Sequence, residues 1–99
     1  MHKGMLVAVV IPARDEEKHI EKVIDTIPSF VDRVVVVDDG SKDNTAKLVK
    51  NADLVKLEGN GVGAAIDAGH QHLLRVMEGE FISVVMAGDG QMNLSLIHI

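Results

Sequence analysis

The sequence predicts an α/β fold in which a parallel sheet carries helices on both faces, and two observations lead to this fold class. Short apolar runs rich in β-branched residues, such as residues 34–37, alternate with longer segments whose apolar residues recur at helical spacing. Polar side chains follow the last residues of several runs, where open α/β sheets bind their ligands. Strands that alternate with helices are joined by right-handed crossovers, so the chain is predicted to form half of a doubly wound, Rossmann-like fold.

The first half of the chain is predicted to contain two strands, each followed by a helix. The first strand covers residues 7–11, and Asp15 is predicted to cap the next helix, because an aspartate at that point accepts hydrogen bonds from free N–H groups. The second strand covers residues 33–37, and Asp43 is predicted to cap a short helix that ends near Ala52. The buried face of the first helix is predicted to consist of Ile20, Val23, Ile24 and Ile27.

The second half is predicted to contain two more strands around a longer helix. A strand at residues 54–57 leads into the glycine-rich segment 59–63, and the helix that follows ends at Gly79. The fourth strand covers residues 81–86. Gly69 lies on the apolar face of the helix, which predicts close packing against the sheet. The other members of that face are Ile66, Leu73, Val76 and Met77.

Length and composition indicate one globular domain or part of one. Of the 99 residues, 46% are apolar and 25% are charged, which is typical of a folded protein. The formal net charge is -5 and the basic residues are scattered, so no nucleic-acid partner is expected. The apolar segment 5–11 is too short to span a membrane. The absence of cysteine suits a reducing compartment, and a cytoplasmic location is therefore expected.

Residues 1–92 are predicted to form the domain, whereas residues 93–99 are left unassigned. This tail, NLSLIHI, contains no helix cap and no turn chemistry. It resembles translated sequencing-adapter DNA, so we expect the native reading to stop near Asn93 and the tail to be truncated or foreign. A long in-frame continuation after Met92 in the source DNA would support this expectation, and a genuine stop codon after Ile99 would contradict it.

Four motifs, in order, resemble those of family 2 glycosyltransferases with the GT-A fold. They are VVIPARDEE at residues 9–17, VVVVDDGSKDNT at residues 34–45, GVGAAIDAG at residues 61–69 and GDGQM at residues 88–92. Together they extend over nearly all of residues 5–92. The chain is similar to the N-terminal, nucleotide-binding half of the polyprenyl-phosphate mannosyl and glucosyl transferases of that family.

The resemblance implies a site for a nucleoside diphosphate sugar at the carboxyl ends of the strands. In the family the loop after the first strand wraps the base and ribose, and the pair Asp38 and Asp39 reads the nucleoside, one carboxylate on the base and the other holding the loop. The alternatives are that the acidic loop residues only favour a helix N-terminus, and that the aspartate pair only caps a turn. The resulting candidates are Pro12, Ala13, Arg14, Glu16, Asp38, Asp39 and Gly61.

A metal site is also implied, although the chain departs from the family pattern there. Relatives carry an Asp-x-Asp stretch, and here Ala87 occupies the first position. Asp89 and Gln91 remain as oxygen ligands for Mg²⁺ or Mn²⁺, which the phosphates and water would complete. The alternative for Asp89 is a turn residue between two glycines.

The resemblance implies an inverting transferase that moves a sugar from a UDP- or GDP-linked donor to a lipid phosphate, such as a polyprenyl phosphate, or to a saccharide hydroxyl. Its catalytic base, acceptor site and any membrane segments belong to the later half in relatives. The 99-residue chain is therefore expected to be inactive alone, and the full-length protein is expected at the cytoplasmic face of a membrane.

One alternative is a fragment of an NAD-dependent oxidoreductase, because Gly59, Gly61 and Ala64 fit GxGxxA. The other is a non-catalytic α/β interaction module. The five histidines are predicted to be surface residues rather than a metal centre.

Overall fold

A computed structural model describes residues 6–88 of the chain and the backbone of residues 96–98. The strands are β1 (Leu6–Ala13), β2 (Arg33–Asp39), β3 (Asp53–Leu57), β4 (Phe81–Val85) and β5 (Leu96–His98). The helices are α1 (Ile20–Asp25) and α2 (Val62–Val76), and a single 3₁₀ turn covers Ala46–Leu48.

The strands form one sheet in the order β3-β2-β1-β4-β5. The first four pair in parallel, and only β5 runs antiparallel, against β4. The parallel register aligns Ala13 of β1 with Asp38 of β2, and Asp39 with Leu57 of β3. The carboxyl ends of these strands therefore meet at one edge of the sheet.

The two faces of the sheet bury different helices because strand side chains alternate between faces. Ala8 and Val10 of β1 belong to the cluster that α2 covers, whose helical members include Leu73. Val9 and Ile11 belong to the opposite cluster, which α1 covers. The predicted parallel sheet with helices on both faces is confirmed.

Both predicted aspartate caps are wrong. Helix α1 begins at Ile20, and no side chain caps its first turn. Asp15 instead adopts a left-handed conformation, with φ 53°, and accepts a hydrogen bond from the backbone of another loop. Asp43 bonds the backbone N–H and hydroxyl of Thr45, and the predicted helix beyond it is reduced to the 3₁₀ turn. Asp15 therefore bonds the turn after β2 instead of a helix N-terminus, and Asp43 forms a local turn with Thr45, two residues later.

Gly69 allows α2 to lie directly against the sheet, as predicted. A Cβ at this position would lie 2.5 Å from a methyl of Val10 and 3.2 Å from a methyl of Val37. Glycine is therefore the residue that permits this distance between helix and sheet. Val76, assigned to the same face, is instead 37% exposed at the end of the helix.

The prediction of surface histidines is wrong for two residues of α2. His70 is half-buried and hydrogen-bonds Ser83 of β4, and His72 bonds Asp53 at the start of β3. Asp53 also accepts a hydrogen bond of 2.7 Å from Arg33, so these contacts join the amino ends of two strands to α2. Within residues 6–88, no group of three metal-ligating side chains is present. No helix in the described part of the chain is long and apolar enough to cross a membrane.

Candidate functional site

A cleft of about 240 Å³ opens at the carboxyl edge of the sheet. Its walls come from the end of β1 and the loop that follows it, the last residue of β2 and the first turn of α2, which the fold brings to the same edge. The lining residues are Pro12, Ala13, Arg14, Glu16, Asp39, Gly61, Val62 and Ala65.

Asp39 joins the end of β2 to the glycine-rich loop before α2. One of its carboxylate oxygens accepts hydrogen bonds from the backbone N–H groups of Gly59, at 3.1 Å, and Asn60, at 2.7 Å. The other oxygen accepts the N–H of Gly61 at 2.8 Å. Three successive N–H groups that converge in this way form an anion-binding nest, and here the anion is part of the chain.

The same contacts set the charge of Asp39. The N–H groups of Asn60, Gly61 and Gly59, together with the nearby Arg14 guanidinium, hold the pKa of Asp39 below its ordinary value, although burial opposes this. Asp39 is therefore ionised at neutral pH. Across the cleft, the Glu16 carboxylate lies 3.2 Å from a ring nitrogen of His19.

The Asp38 carboxylate is directed to the turn after β2 and away from the cleft. It is 3% exposed and accepts a hydrogen bond of 3.1 Å from the backbone N–H of Ser41, which closes the turn after β2. It does not line the cleft. Adjacent strand residues point to opposite faces, which separates this carboxylate from that of Asp39.

The polar residues of the turn after β2 bind the backbone of the loop after β1. The Asp15 N–H donates to the Ser41 hydroxyl at 2.9 Å, and the Glu16 N–H donates to the Thr45 hydroxyl at 2.8 Å. In return, the Lys42 N–H donates to the Asp15 carboxylate at 2.8 Å. Ser41 and Thr45 thus hold the loop that lines the cleft, a role that was not predicted from the sequence.

Two glycines allow close approach around the cleft. Gly40 has φ +80°, and a Cβ there would lie 2.8 Å from the backbone nitrogen of Gly59. Gly88, the last described residue of its segment, donates its N–H to Pro12 at 3.2 Å, and a Cβ there would lie 2.9 Å from the Cβ of Ala13 and 3.2 Å from Glu16. The predicted metal ligands Asp89 and Gln91 lie outside the described residues.

The structure brings together all of the predicted nucleotide-contacting residues except Asp38. Val62 and Ala65 also line the cleft but were not predicted, because apolar residues at the start of a helix carry no chemical signal. The helical spacing of residues 61, 65 and 69 could have indicated Ala65, since Gly69 was already assigned to the face that packs on the sheet.

Fold and cleft define an α/β protein with a ligand site at the carboxyl edge of a parallel sheet, the arrangement of doubly wound nucleotide-binding proteins. The model of the Glycosyl transferase family 2 matches residues 8–92. The chain belongs to this family, and its fold is the GT-A fold, as predicted.

The names of two relatives describe them as transferases that use a dolichyl phosphate. A UDP-N-acetylglucosamine--dolichyl-phosphate N-acetylglucosaminyltransferase of Methanococcus voltae is 43% identical over 49 residues, which is 48% of this chain and 20% of the relative. A dolichyl-phosphate beta-glucosyltransferase of Trichomonas vaginalis is 34% identical over 97 residues, 79% of this chain and 28% of the relative. The chain therefore spans less than a third of the length of either protein.

Among solved structures, the chain is similar to glucosyl-3-phosphoglycerate synthase from Mycobacterium tuberculosis in complex with UDP. The TM-score is 0.65 at 31% identity, with 85% of this chain and 34% of the synthase covered. The same synthase has also been crystallised with Mn²⁺, UDP and glucosyl-3-phosphoglycerate, and that complex superimposes with a TM-score of 0.59 at 28% identity over 81% of this chain and 33% of the synthase.

Proposed function

We propose that the chain is the donor-binding half of an inverting glycosyltransferase that transfers a sugar from a UDP- or GDP-linked donor to a lipid phosphate or a saccharide hydroxyl. The observation that carries this proposal is the cleft between Arg14 and Asp39, which lies where the family motifs meet. The UDP complex of a synthase with a similar fold supports a nucleotide as the ligand.

Asp39 is the proposed reader of the base. A carboxylate has about four acceptor positions, and the nest of Gly59, Asn60 and Gly61 uses three of them. One position remains for an N–H of a nucleobase in the cleft. Uracil and guanine both offer such a donor, so this contact fits either nucleotide.

The other lining residues supply the remaining contacts. Arg14 brings a permanent positive charge and a fork of donors that suits phosphate oxygens. The carboxylate of Glu16 can accept hydrogen bonds from ribose hydroxyls. Pro12, Ala13, Val62 and Ala65 provide the apolar surfaces against which a base and a sugar ring can pack.

A divalent cation, Mg²⁺ or Mn²⁺, is proposed to bind with the donor through Asp89 and Gln91. Carboxylate and amide oxygens are the hard ligands that these ions prefer. Gly88, which precedes Asp89 in the sequence, packs against Ala13 and Glu16 of the cleft, and this supports a metal beside the diphosphate. Such an ion neutralises charge on the departing diphosphate.

The acceptor is proposed from the names of the relatives, and the cellular location follows from that proposed acceptor. Both curated relatives named above carry dolichyl phosphate in their names, which supports a polyprenyl phosphate as acceptor. We propose that the full-length protein works at the cytoplasmic face of a membrane, and that the base which deprotonates the acceptor lies beyond residues 1–92. The match of the family model to residues 8–92 supports residue 92 as the end of the matched donor-binding segment, and β5 at residues 96–98 pairs with β4 beside it.

The occupied nest argues against the oxidoreductase alternative. In a dinucleotide-binding fold the glycine-rich loop offers its free N–H groups to a pyrophosphate. Here Asp39 already accepts the N–H groups of Gly59, Asn60 and Gly61, so a pyrophosphate would meet a carboxylate instead of free donors. Repulsion between these anions disfavours NAD in that loop.

The test is a thermal-shift titration of the chain with UDP, GDP and NAD, each with and without Mn²⁺. Stabilisation by a nucleoside diphosphate that increases with Mn²⁺ is the expected result. Stabilisation by NAD alone would favour the oxidoreductase, and no response to any of the three would favour the interaction module.

Asp89→Ala is the matched variant for the metal. We expect it to remove the part of the UDP response that depends on Mn²⁺ and to leave the metal-independent part. An unchanged response to Mn²⁺ would exclude Asp89 as a ligand. Asp25→Ala is the control, because this exposed aspartate at the end of α1 does not line the cleft.

A further inference from the structure

Asp15 lies between two cleft residues, Arg14 and Glu16, but does not line the cleft itself. Its φ of 53° is left-handed, and among the described non-glycine residues only Asn51, at 61°, shares a positive φ. A left-handed residue in the middle of a loop reverses the local direction of the chain, and aspartate and asparagine tolerate this conformation better than most residues do.

Two reciprocal hydrogen bonds fix Asp15 to the turn after β2. Its N–H donates to the Ser41 hydroxyl at 2.9 Å, and its carboxylate accepts the N–H of Lys42 at 2.8 Å. Glu16 continues the contact, with its N–H on the Thr45 hydroxyl at 2.8 Å. The loop that carries Arg14 and Glu16 is thereby attached to the strand that carries Asp39.

We propose that Asp15 is a positioning residue for nucleotide binding, and that it acts by holding Arg14 and Glu16 against the cleft without touching the ligand. The inference rests on the proposed function. The positioning role belongs to a residue outside the cleft, and the bond that performs this role runs from the Lys42 N–H to the Asp15 carboxylate.

The left-handed backbone of Asp15 and its carboxylate both hold the loop in position, and different substitutions test each feature separately. Glycine adopts positive φ without strain, so Asp15→Gly keeps the backbone shape available and removes only the bond to Lys42. Asparagine also tolerates this backbone, and its side-chain carbonyl can accept the same N–H. Asp15→Asn should therefore retain the position of the loop.

Asn51 provides a matched control. It has the same backbone conformation as Asp15, it is exposed, and it lies just before β3, at the amino end of that strand, whereas the cleft lies at the carboxyl edge of the sheet. Asn51→Gly removes a polar side chain from a similar left-handed backbone position that does not line the cleft.

The experiment measures UDP affinity in the presence of Mn²⁺ by titration, together with the melting temperature of each variant. A hydrogen bond to a charged group corresponds to a change in affinity of roughly tenfold, and that loss is expected for Asp15→Gly. Asp15→Asn should bind UDP more tightly than Asp15→Gly and within about fivefold of the wild type, because the acceptor is retained but becomes neutral. Asn51→Gly should leave UDP affinity unchanged whatever its melting temperature.

UDP affinity of Asp15→Gly equal to that of the wild type would overturn the inference, as would equal losses in Asp15→Gly and Asn51→Gly. If the wild type does not bind UDP, the proposed function fails, and amide hydrogen exchange decides the inference separately. Faster exchange at Glu16 and Lys42 in Asp15→Gly, but not in Asp15→Asn, would support the loop attachment. Unchanged exchange would overturn it.

Discussion

Replacement of Asp39 by asparagine tests the connection between β2 and the glycine-rich loop. The carboxylate accepts three backbone N–H groups, from Gly59, Asn60 and Gly61, through both of its oxygens. An asparagine side chain has only one oxygen, so its NH₂ group must face at least one N–H donor. Asp39→Asn therefore loses at least one hydrogen bond outright and turns the others from charged into neutral bonds.

The loss in the free energy of unfolding of Asp39→Asn can be worked out from these hydrogen bonds. Loss of the Gly61 bond removes about 2 kcal/mol, and the two remaining bonds weaken by about 1 kcal/mol each when the acceptor becomes neutral. The loop residues are exposed, so water can replace part of what is lost. We expect the free energy of unfolding to fall by about 2 kcal/mol.

Urea unfolding measures this difference. With a slope of about 1 kcal/mol per molar urea, the midpoint should fall by about 2 M. Asp38→Asn is the control, because Asp38 accepts a single N–H, from Ser41, which an asparagine oxygen can also accept. Its cost should be no more than about 1 kcal/mol.

The effect of pH provides a second check on the same residue. The pKa of Asp39 is lowered in the folded chain, so its contribution to stability is present above the pKa of the unfolded chain and is lost as the pH falls through the folded value. The difference between wild type and Asp39→Asn should therefore shrink below about pH 4. Equal losses in the Asp38 and Asp39 variants, or a loss for Asp39→Asn under about 0.5 kcal/mol, would show that the N–H bonds of the glycine-rich loop to Asp39 do not stabilise the fold.

Three further predictions concern stability. Gly69→Ala should destabilise the fold by about 1 kcal/mol, because overpacking against β1 exceeds the gain in helix propensity, whereas Gly63→Ala, with open space around it, should be neutral or stabilising in urea unfolding. Gly40→Ala should cost about 2 kcal/mol, since its Cβ would lie 2.8 Å from the Gly59 nitrogen in a left-handed backbone, and a change under about 0.5 kcal/mol would contradict this. Burial lowers the pKa of His70 from 6.5, so stability should fall as the pH drops below 6.5, and a melting curve of His70→Asn with the same pH dependence as the wild type would contradict this.

The position of the cleft could be predicted from the sequence because parallel strands leave little freedom. Once residues 7–11 and 33–37 were identified as parallel strands, the residues after them had to meet at one edge. Which of Asp38 and Asp39 reaches the cleft could not be predicted in the same way. The aspartate that reaches the cleft is the one on the face of the sheet that α2 covers, and that face is set by tertiary packing.

The errors at Asp15 and Asp43 have a common cause. Both residues precede segments with helical spacing, and local rules therefore assign them to helix caps. In the structure Asp15 accepts the N–H of Lys42 from a loop that is distant in sequence, and Asp43 binds Thr45. The N–H of Lys42 reaches Asp15 only after β1 and β2 have paired, and the same is true of the Glu17 N–H that donates to Asp43 at 3.3 Å. Sequence spacing describes neither contact.

Binding of a nucleoside diphosphate in the cleft at the carboxyl edge can be followed through the amide chemical shifts of the chain during titration with UDP and Mn²⁺. We expect the largest shifts at Arg14, Glu16, Asp39 and Gly61, with little change at Arg33 on the opposite edge of the sheet. Shifts centred on Arg33 and its neighbours, with none around Asp39, would contradict binding in this cleft.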